Sequence, residues 1–276
     1  MRLLRECLTA LRAQTRHVNE VLVVDNASRD GTAEMIAREY PEVRLLTLPY
    51  NSGGAGGFHE GIRKAMDGHC DWFWLMDDDT IATPTALEEA LAPLASLNGL
   101  PAPAVIASKV LWTTGELHPM NLPWPRWKPY DVALNAAERG LFPMRAASFV
   151  SVLVRRTAVA REGLPLKHYF IWGDDIEYTA RLLRRDVGYL VPRSVAYHKT
   201  SSAKPSSLSS GRRYFFDVRN KVYMIRGQAF EPAEKLKYGL VFVGSVLEFL
   251  KFNRFRPMAV RTVVRGLVAG LFSRAE

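Results

Sequence analysis

The sequence predicts an α/β fold, a mostly parallel sheet flanked by helices, followed by a C-terminal helical extension. Three observations carry this. Short apolar runs alternate with amphipathic helical patterns through roughly residues 1–200. Polar and charged residues gather where those runs end, the edge at which open α/β sheets bind ligands. Residues 201–276 then change character, from a Ser-rich basic linker, "SSAKPSSLSSGRR", to two long apolar-and-basic helical patterns. We therefore expect a body over 1–200 and an extension over 201–276.

The elements follow in order. Leu3, Leu4, Cys7, Leu8 and Leu11 recur at helical spacing, which predicts an amphipathic helix over 2–14. "EVLVVDN" (Glu20 to Asn26) is a short buried strand ending at Asp25, and "SRDGTAEMIAREY" supplies a turn and a helix. "VRLLTL" (Val43 to Leu48) is a second strand, and "NSGGAGGFHEGIRKAM" reads as a glycine-rich loop running into a helix. "DWFWLM" (Asp71 to Met76) is a third strand, with Asp77, Asp78 and Asp79 directly behind it. In "TPTALEEALAPL", Thr83 is the expected N-cap and Pro84 the first helical residue. Further on, "HPMNLPWPRWKPYD" reads as a surface loop, and "SFVSVLVRR" (Ser148 to Arg156) as a strand. "FIWGDDIEYTARLLRR" opens a helix on Asp174 and Asp175, and "GYLVP" and "VAYHK" are two short strands, the second closing on His198.

Bulk properties narrow the function. Two cysteines, Cys7 and Cys70, make no disulfide framework and no metal-type spacing, and suit a reducing compartment. The N-terminus lacks the apolar stretch of a secretory signal. The longest apolar run, Tyr238 to Leu250, contains Glu248 and is too short to span a bilayer. Residues 199–276 hold 15 Lys and Arg against 5 Asp and Glu, whereas residues 1–198 are nearly neutral at 22 against 23. A basic tail on a neutral body points to an anionic partner: a membrane face, or nucleic acid. No nucleic-acid motif accompanies the charge, so the membrane face is favoured over nucleic acid. The plainer reading of the tail is a helical cap whose basic residues face water.

Three adjacent carboxylates leaving a buried strand repel one another, and a hard divalent cation offsets that repulsion. Mg²⁺ commonly binds through one or two carboxylates plus substrate phosphates. A solvated acidic turn is the plainer alternative. The glycines Gly53, Gly54, Gly56 and Gly57 fit neither a dinucleotide fingerprint nor a Walker loop. Asp174 and Asp175 at a helix start are favoured by the helix dipole, and a simple cap explains one of them but not both. His198 at a strand end is either structural or a metal ligand.

The ordered set "EVLVVDNASRDGT", "NSGGAGGFHEGI", "WFWLMDDDT", "FIWGDDIEY" and "YHK" resembles family 2 glycosyltransferases of the GT-A fold, and among them bacterial galactofuranosyltransferases and their rhamnosyltransferase relatives. The resemblance covers roughly residues 1–200. It implies a nucleotide-sugar donor, inversion at the anomeric carbon, and Mn²⁺ or Mg²⁺ as cofactor. By position it implies that Asp25 contacts the nucleotide and that Gly53 and Gly54 lie against the donor. Asp77 and Asp78 would hold the nucleotide sugar, and Asp79 and His198 the metal. Asp175 would be the general base, with Asp174 and Trp172 at the acceptor. A glycan or polyprenyl-linked acceptor and a place at the cytoplasmic face of the membrane follow from the same resemblance.

One departure stands out. The family begins with a strand before the first helix, and this chain opens directly in that helix. Without it, two neighbouring strands about 9–10 Å apart must close up or stay unpaired. A natural start upstream of Met1 is therefore expected, and a catalytically silent binding protein is the competing reading.

Overall fold

The computed structural model describes residues 1–203 and 207–273; Lys204, Pro205 and Ser206 of the basic linker lie outside the described residues. Helix α1 (Arg2–Arg12) buries Leu4, Cys7 and Leu8. It packs on a small parallel sheet of β1 (Leu22–Asp25) and β2 (Arg44–Thr47), together with α2 (Thr32–Glu39). Next come α3 (Gly53–Ala65), β3 (Trp72–Leu75), β4 (Thr80–Ala82), α4 (Ala86–Leu91) and β5 (Pro103–Leu111). The second half adds β6 (Trp124–Pro125), α5 (Tyr130–Ala137), β7 (Phe142–Ala146), β8 (Val152–Arg155), α6 (Arg156–Glu162), α7 (Asp174–Leu182) and β9 (Val187–His198). Three helices close the chain: α8 (Tyr214–Arg226), α9 (Pro232–Phe252) and α10 (Pro257–Phe272).

The larger sheet runs β3-β8-β5-β9-β7-β6, with β4 also on β9. One face of it packs on α3, α6 and α7 through Ile62, Val159 and Leu182, and the other on α4 and α5 through Leu87 and Ala136. The α/β class with a helix-flanked sheet is as the sequence predicts. Strand directions are mixed rather than mostly parallel. Only β1–β2 and β5–β9 pair in parallel, because β7 and β8 enter from irregular second-half segments and insert antiparallel to their neighbours. Among the described residues no strand joins the β1–β2 pair to β3, so those neighbours stay unpaired.

Four local expectations change. "GYLVP" and "VAYHK" are one strand, β9, interrupted by a bulge: Ser108 faces Val191 but Lys109 faces Val195. The glycine-rich segment is not a loop but the first turns of α3. Thr85, not Thr83, precedes α4, and the Thr83 hydroxyl donates instead to the Val195 carbonyl at 3.0 Å. The Pro- and Trp-rich segment is only partly loop, since it contains β6, paired to β7, and the start of α5.

The C-terminal helices are tied into the sheet. Gly266 and Gly270 of α10 let that helix meet α8 closely, because a Cβ on either would lie within 2.7 Å of the Val218 or Val222 Cβ. Arg145 of β7, buried at 7%, donates to Glu234 of α9 at 2.8 Å and to the carbonyls of Ala180 and Ala229. Removing the guanidinium leaves those acceptors without a partner, which costs about 3–5 kcal/mol for a buried pair. Because Glu234 keeps partial solvent access, the lower end applies. Arg145→Met is expected to lower unfolding free energy by about 3 kcal/mol in urea titration; an unchanged midpoint would contradict this anchoring role.

Candidate active site

The pairing of β4 with β9 builds the first half of the site. Thr80 stands opposite His198, and the Lys199 amide donates to the Asp79 carbonyl at 2.9 Å. The acidic turn behind β3 is thereby clamped against the end of β9. Ligand atoms of Asp77, Asp79 and His198 all lie within 4.8 Å of one another.

The hydrogen bonds around His198 fix its tautomer. Asn121 donates its amide to the Ser148 hydroxyl at 2.9 Å, which leaves its Oδ1 to accept from His198 Nδ1–H at 2.8 Å. Nε2 then carries a lone pair. It faces Asp79 Oδ1 at 3.1 Å, and that buried oxygen has no hydrogen-bond partner. With a neutral ring, two lone pairs face each other at that distance, and either a proton on Nε2 or a cation between them relieves the repulsion. The donor set, two carboxylates and an imidazole backed by an oriented amide, fits a divalent ion such as Mn²⁺ or Mg²⁺. His118, its ring 4.9 Å from that of His198, hydrogen-bonds Thr200 and is held neutral by burial.

The second half comes from the loop into α7. Gly173, at φ 82, precedes Asp174, the first residue of the helix. Asp174 is buried at 7% and its carboxyl is pushed well above the usual range, first by burial and then by Asp175. Asp175 is pushed up to about 6 by burial, opposed by N–H donation from Ile176 and Phe149. Asp77 is pushed up to about 7, first by burial, then by Asp79, with Asp175 adding to it. Asp77 in turn raises Asp174, so the two acidic clusters, about a hundred residues apart in sequence, lie within electrostatic reach of each other.

The other anticipated residues fall around it. Asp25 ends β1, buried, and accepts the Ser28 amide at 3.0 Å. Asp78 is exposed. Gly54 faces open space. Gly53 has a packing reason of its own: its φ is +74, and a Cβ there would sit 2.0 Å from the Phe170 carbonyl oxygen. Trp172 is half-buried, with the Arg213 guanidinium 5.4 Å from its ring.

Two residues that organise this loop gave no signal in the sequence. Asn220 of α8, 2% exposed, points its amide at the carbonyls of Tyr169, Ile171 and Trp172 at 2.8–3.0 Å. Arg219 donates to the carbonyls of His168 and Tyr169. They hold a segment in which Phe170 and Trp172 adopt left-handed φ values of 64 and 69, strained conformations that persist only when the surroundings over-determine them. Asn121 was equally silent, lying in the segment read as a loop.

Comparison with known proteins places this geometry. Galactofuranosyltransferase GlfT1 of Mycobacterium tuberculosis is 28% identical over 261 residues, covering 87% of this chain and 84% of the relative. The N-acetylglucosaminyl-diphospho-decaprenol L-rhamnosyltransferase of the same organism is 29% identical over 230 residues, with 72% and 73% covered. Among solved structures, residues 1–349 of S. aureus TarS superpose with a TM-score of 0.63 at 15% identity, over 99% of this chain and 78% of that one. That likeness concerns the fold alone. The sequence model "Glycosyl transferase family 2" matches residues 2–158, more than half of the chain. With the paired acidic clusters behind β3 and at α7, these matches establish that the chain belongs to glycosyl transferase family 2 and is a nucleotide-sugar-dependent glycosyltransferase.

Proposed function

We propose that the protein is an inverting, metal-dependent enzyme of cell-envelope polysaccharide synthesis. It moves galactofuranose from a nucleoside diphosphate to a glycan or lipid-linked acceptor. What supports this is the Asp77, Asp79 and His198 cluster, with Asp174 and Asp175 within electrostatic reach of it. The galactofuranose preference rests on the "GDDIEY" segment and on the GlfT1 relatives; rhamnose transfer is the second reading, from the rhamnosyltransferase relative.

The residues divide the work as follows. Asp79 and His198, with Asp77 beside them, would hold a divalent ion, which would supply positive charge against the departing diphosphate. Asp25 and Asp78 bind the nucleotide, Asp77 orients the donor, and Gly54 leaves room for its backbone approach. Trp172 and the protonated Asp174 carboxyl orient the acceptor, the ring by stacking on a sugar face. Asp175 takes the proton from the acceptor hydroxyl as that oxygen attacks the anomeric carbon. The carbon passes through an oxocarbenium-like state, and the bond to the diphosphate breaks on the opposite face.

We assign residues 1–200 to this catalytic body and 201–276 to an extension that meets an anionic membrane face at the cytoplasmic side. No helix among the described residues is long and apolar enough to cross a membrane. Leu236, Leu240, Val243 and Leu247 on α9 are exposed beside Lys237 and Lys251, the pattern of a helix lying on a bilayer surface.

Three outcomes are expected. Asp175→Asn lowers transfer by at least about 10³-fold while leaving donor affinity, measured calorimetrically, nearly intact; near-normal turnover would remove Asp175 from the base role. Transfer declines as the pH falls through about 6, since Asp175 then becomes protonated and no longer accepts a proton. An initial rate flat down to about pH 4.5 would show a base with an ordinary carboxylate pKa. In a donor screen with Mn²⁺, UDP-galactofuranose is turned over in preference to dTDP-rhamnose and UDP-glucose. Preference for dTDP-rhamnose would establish the second reading.

A further inference from the structure

A cavity of about 510 Å³ opens between the start of α8 and the start of α10. Its walls include Arg212, Phe215, Pro257, Met258, Arg261 and Arg265. The three guanidiniums come from two separate segments, and among the described residues none has a carboxylate within salt-bridge distance. Other arginines, among them Arg5, Arg145 and Arg181, do meet Glu or Asp. Three unpaired arginines facing one concavity repel one another, and an anion with several acceptor oxygens relieves that repulsion. The walls between them are firm. The Thr262 hydroxyl is satisfied by the Met258 carbonyl at 2.8 Å, and Arg265 lies 6.0 Å from the ring of Phe215. The first turn of α10 adds the positive end of its dipole to the same cavity.

The neighbouring face of α10 says what carries the anion. Val260, Val264, Val268 and Leu271 form an exposed row at helical spacing, 40–52% accessible. Residues one position apart on a helix lie about 100° around its axis, so this apolar row runs directly beside the row of Arg261 and Arg265. Phosphate oxygens in the cavity and acyl or prenyl chain along the valines is the arrangement of a phospholipid-like amphiphile. The cavity also adjoins the loop that leads into α7. Arg212 lines it, while the next residue, Arg213, stacks on Trp172.

We propose that this cavity is a binding site for the terminal phosphate or diphosphate of a lipid, separate from the donor site. It rests on the membrane-facing reading of the extension and sharpens it from a diffuse basic surface to one built pocket.

The test is vesicle flotation of the full chain, in EDTA to keep divalent ions from the acidic site. Phosphatidylcholine vesicles carrying phosphatidic acid are the probe, with inorganic pyrophosphate as competitor against sodium chloride of equal ionic strength. The paired substitution Arg261→Gln/Arg265→Gln is compared with Lys237→Gln/Lys251→Gln, which removes the same charge from exposed positions outside the cavity. Arg212→Gln tests the opposite wall independently, and circular dichroism confirms that each variant is folded. The proposal expects pyrophosphate to displace the unsubstituted protein. It also expects about tenfold weaker vesicle binding in the cavity variants, with pyrophosphate displacement lost, and a smaller weakening in the lysine pair, which keeps that displacement. Equal weakening in both pairs would keep the membrane reading and overturn the pocket. So would pyrophosphate that displaces no better than the salt control. Failure of the unsubstituted protein to float would overturn both.

Discussion

Like charge held at close quarters is the constraint from which the site follows. Asp77, Asp174 and Asp175 are held largely out of water, and neighbouring carboxylates further disfavour the ionisation of Asp77 and Asp174. A fold tolerates such a concentration when something positive shares it. The protein supplies no Lys or Arg to these carboxylates among its described ion pairs, although it pairs carboxylates readily elsewhere. It supplies the His198 imidazole, held against Asp79 by Asn121. In the proposed function, the further compensating charge is a divalent ion and the substrate it accompanies.

The same logic explains why the C-terminal helices are more than a covering. The loop that delivers Asp174 and Asp175 turns through left-handed conformations at Phe170, Trp172 and Gly173. Those turns expose carbonyls that would otherwise be unsatisfied, and α8 provides the donors through Arg219 and Asn220. From the other side, Gly53 allows α3 to approach the Phe170 carbonyl, where any Cβ would collide. Arg145 then fastens α9 to β7. The loop that leads into α7 is thus braced by residues distant from it in the chain.

Much of this was legible in the sequence because it is written in local patterns. The strand runs ending at Asp25, Asp77 and His198, and the helix opening at Asp174, come from hydrophobic periodicity and its abrupt polar ends. The acidic triplet pointed to a cation by composition, with a solvated acidic turn as the alternative. What stayed hidden depends on contacts distant in the chain. Asn121 meets His198 across 77 positions, and Asn220 meets Tyr169 across 51, so neither has a local signature. The direction of β7 and β8 is set by where irregular segments deliver them, which no periodicity encodes. The bulge at Pro192 to Ser194 made one strand read as two. The glycine-rich start of α3 read as a loop because glycine weakens helix propensity. There, tertiary packing under Phe170, together with the Asn26 side chain accepting the Ser52 amide, outweighs it.

The claim that an external divalent ion balances these carboxylates together with a diphosphate is tested most directly by titrating Mn²⁺, followed by electron paramagnetic resonance, with and without UDP. Linkage requires that if both share one site, each raises the affinity of the other by the same factor. The account predicts a single Mn²⁺ site whose affinity rises by about tenfold or more when UDP is present, and falls to background when Asp79 is replaced by Asn. Mn²⁺ binding that is indifferent to UDP, or that survives the loss of Asp79, would contradict it.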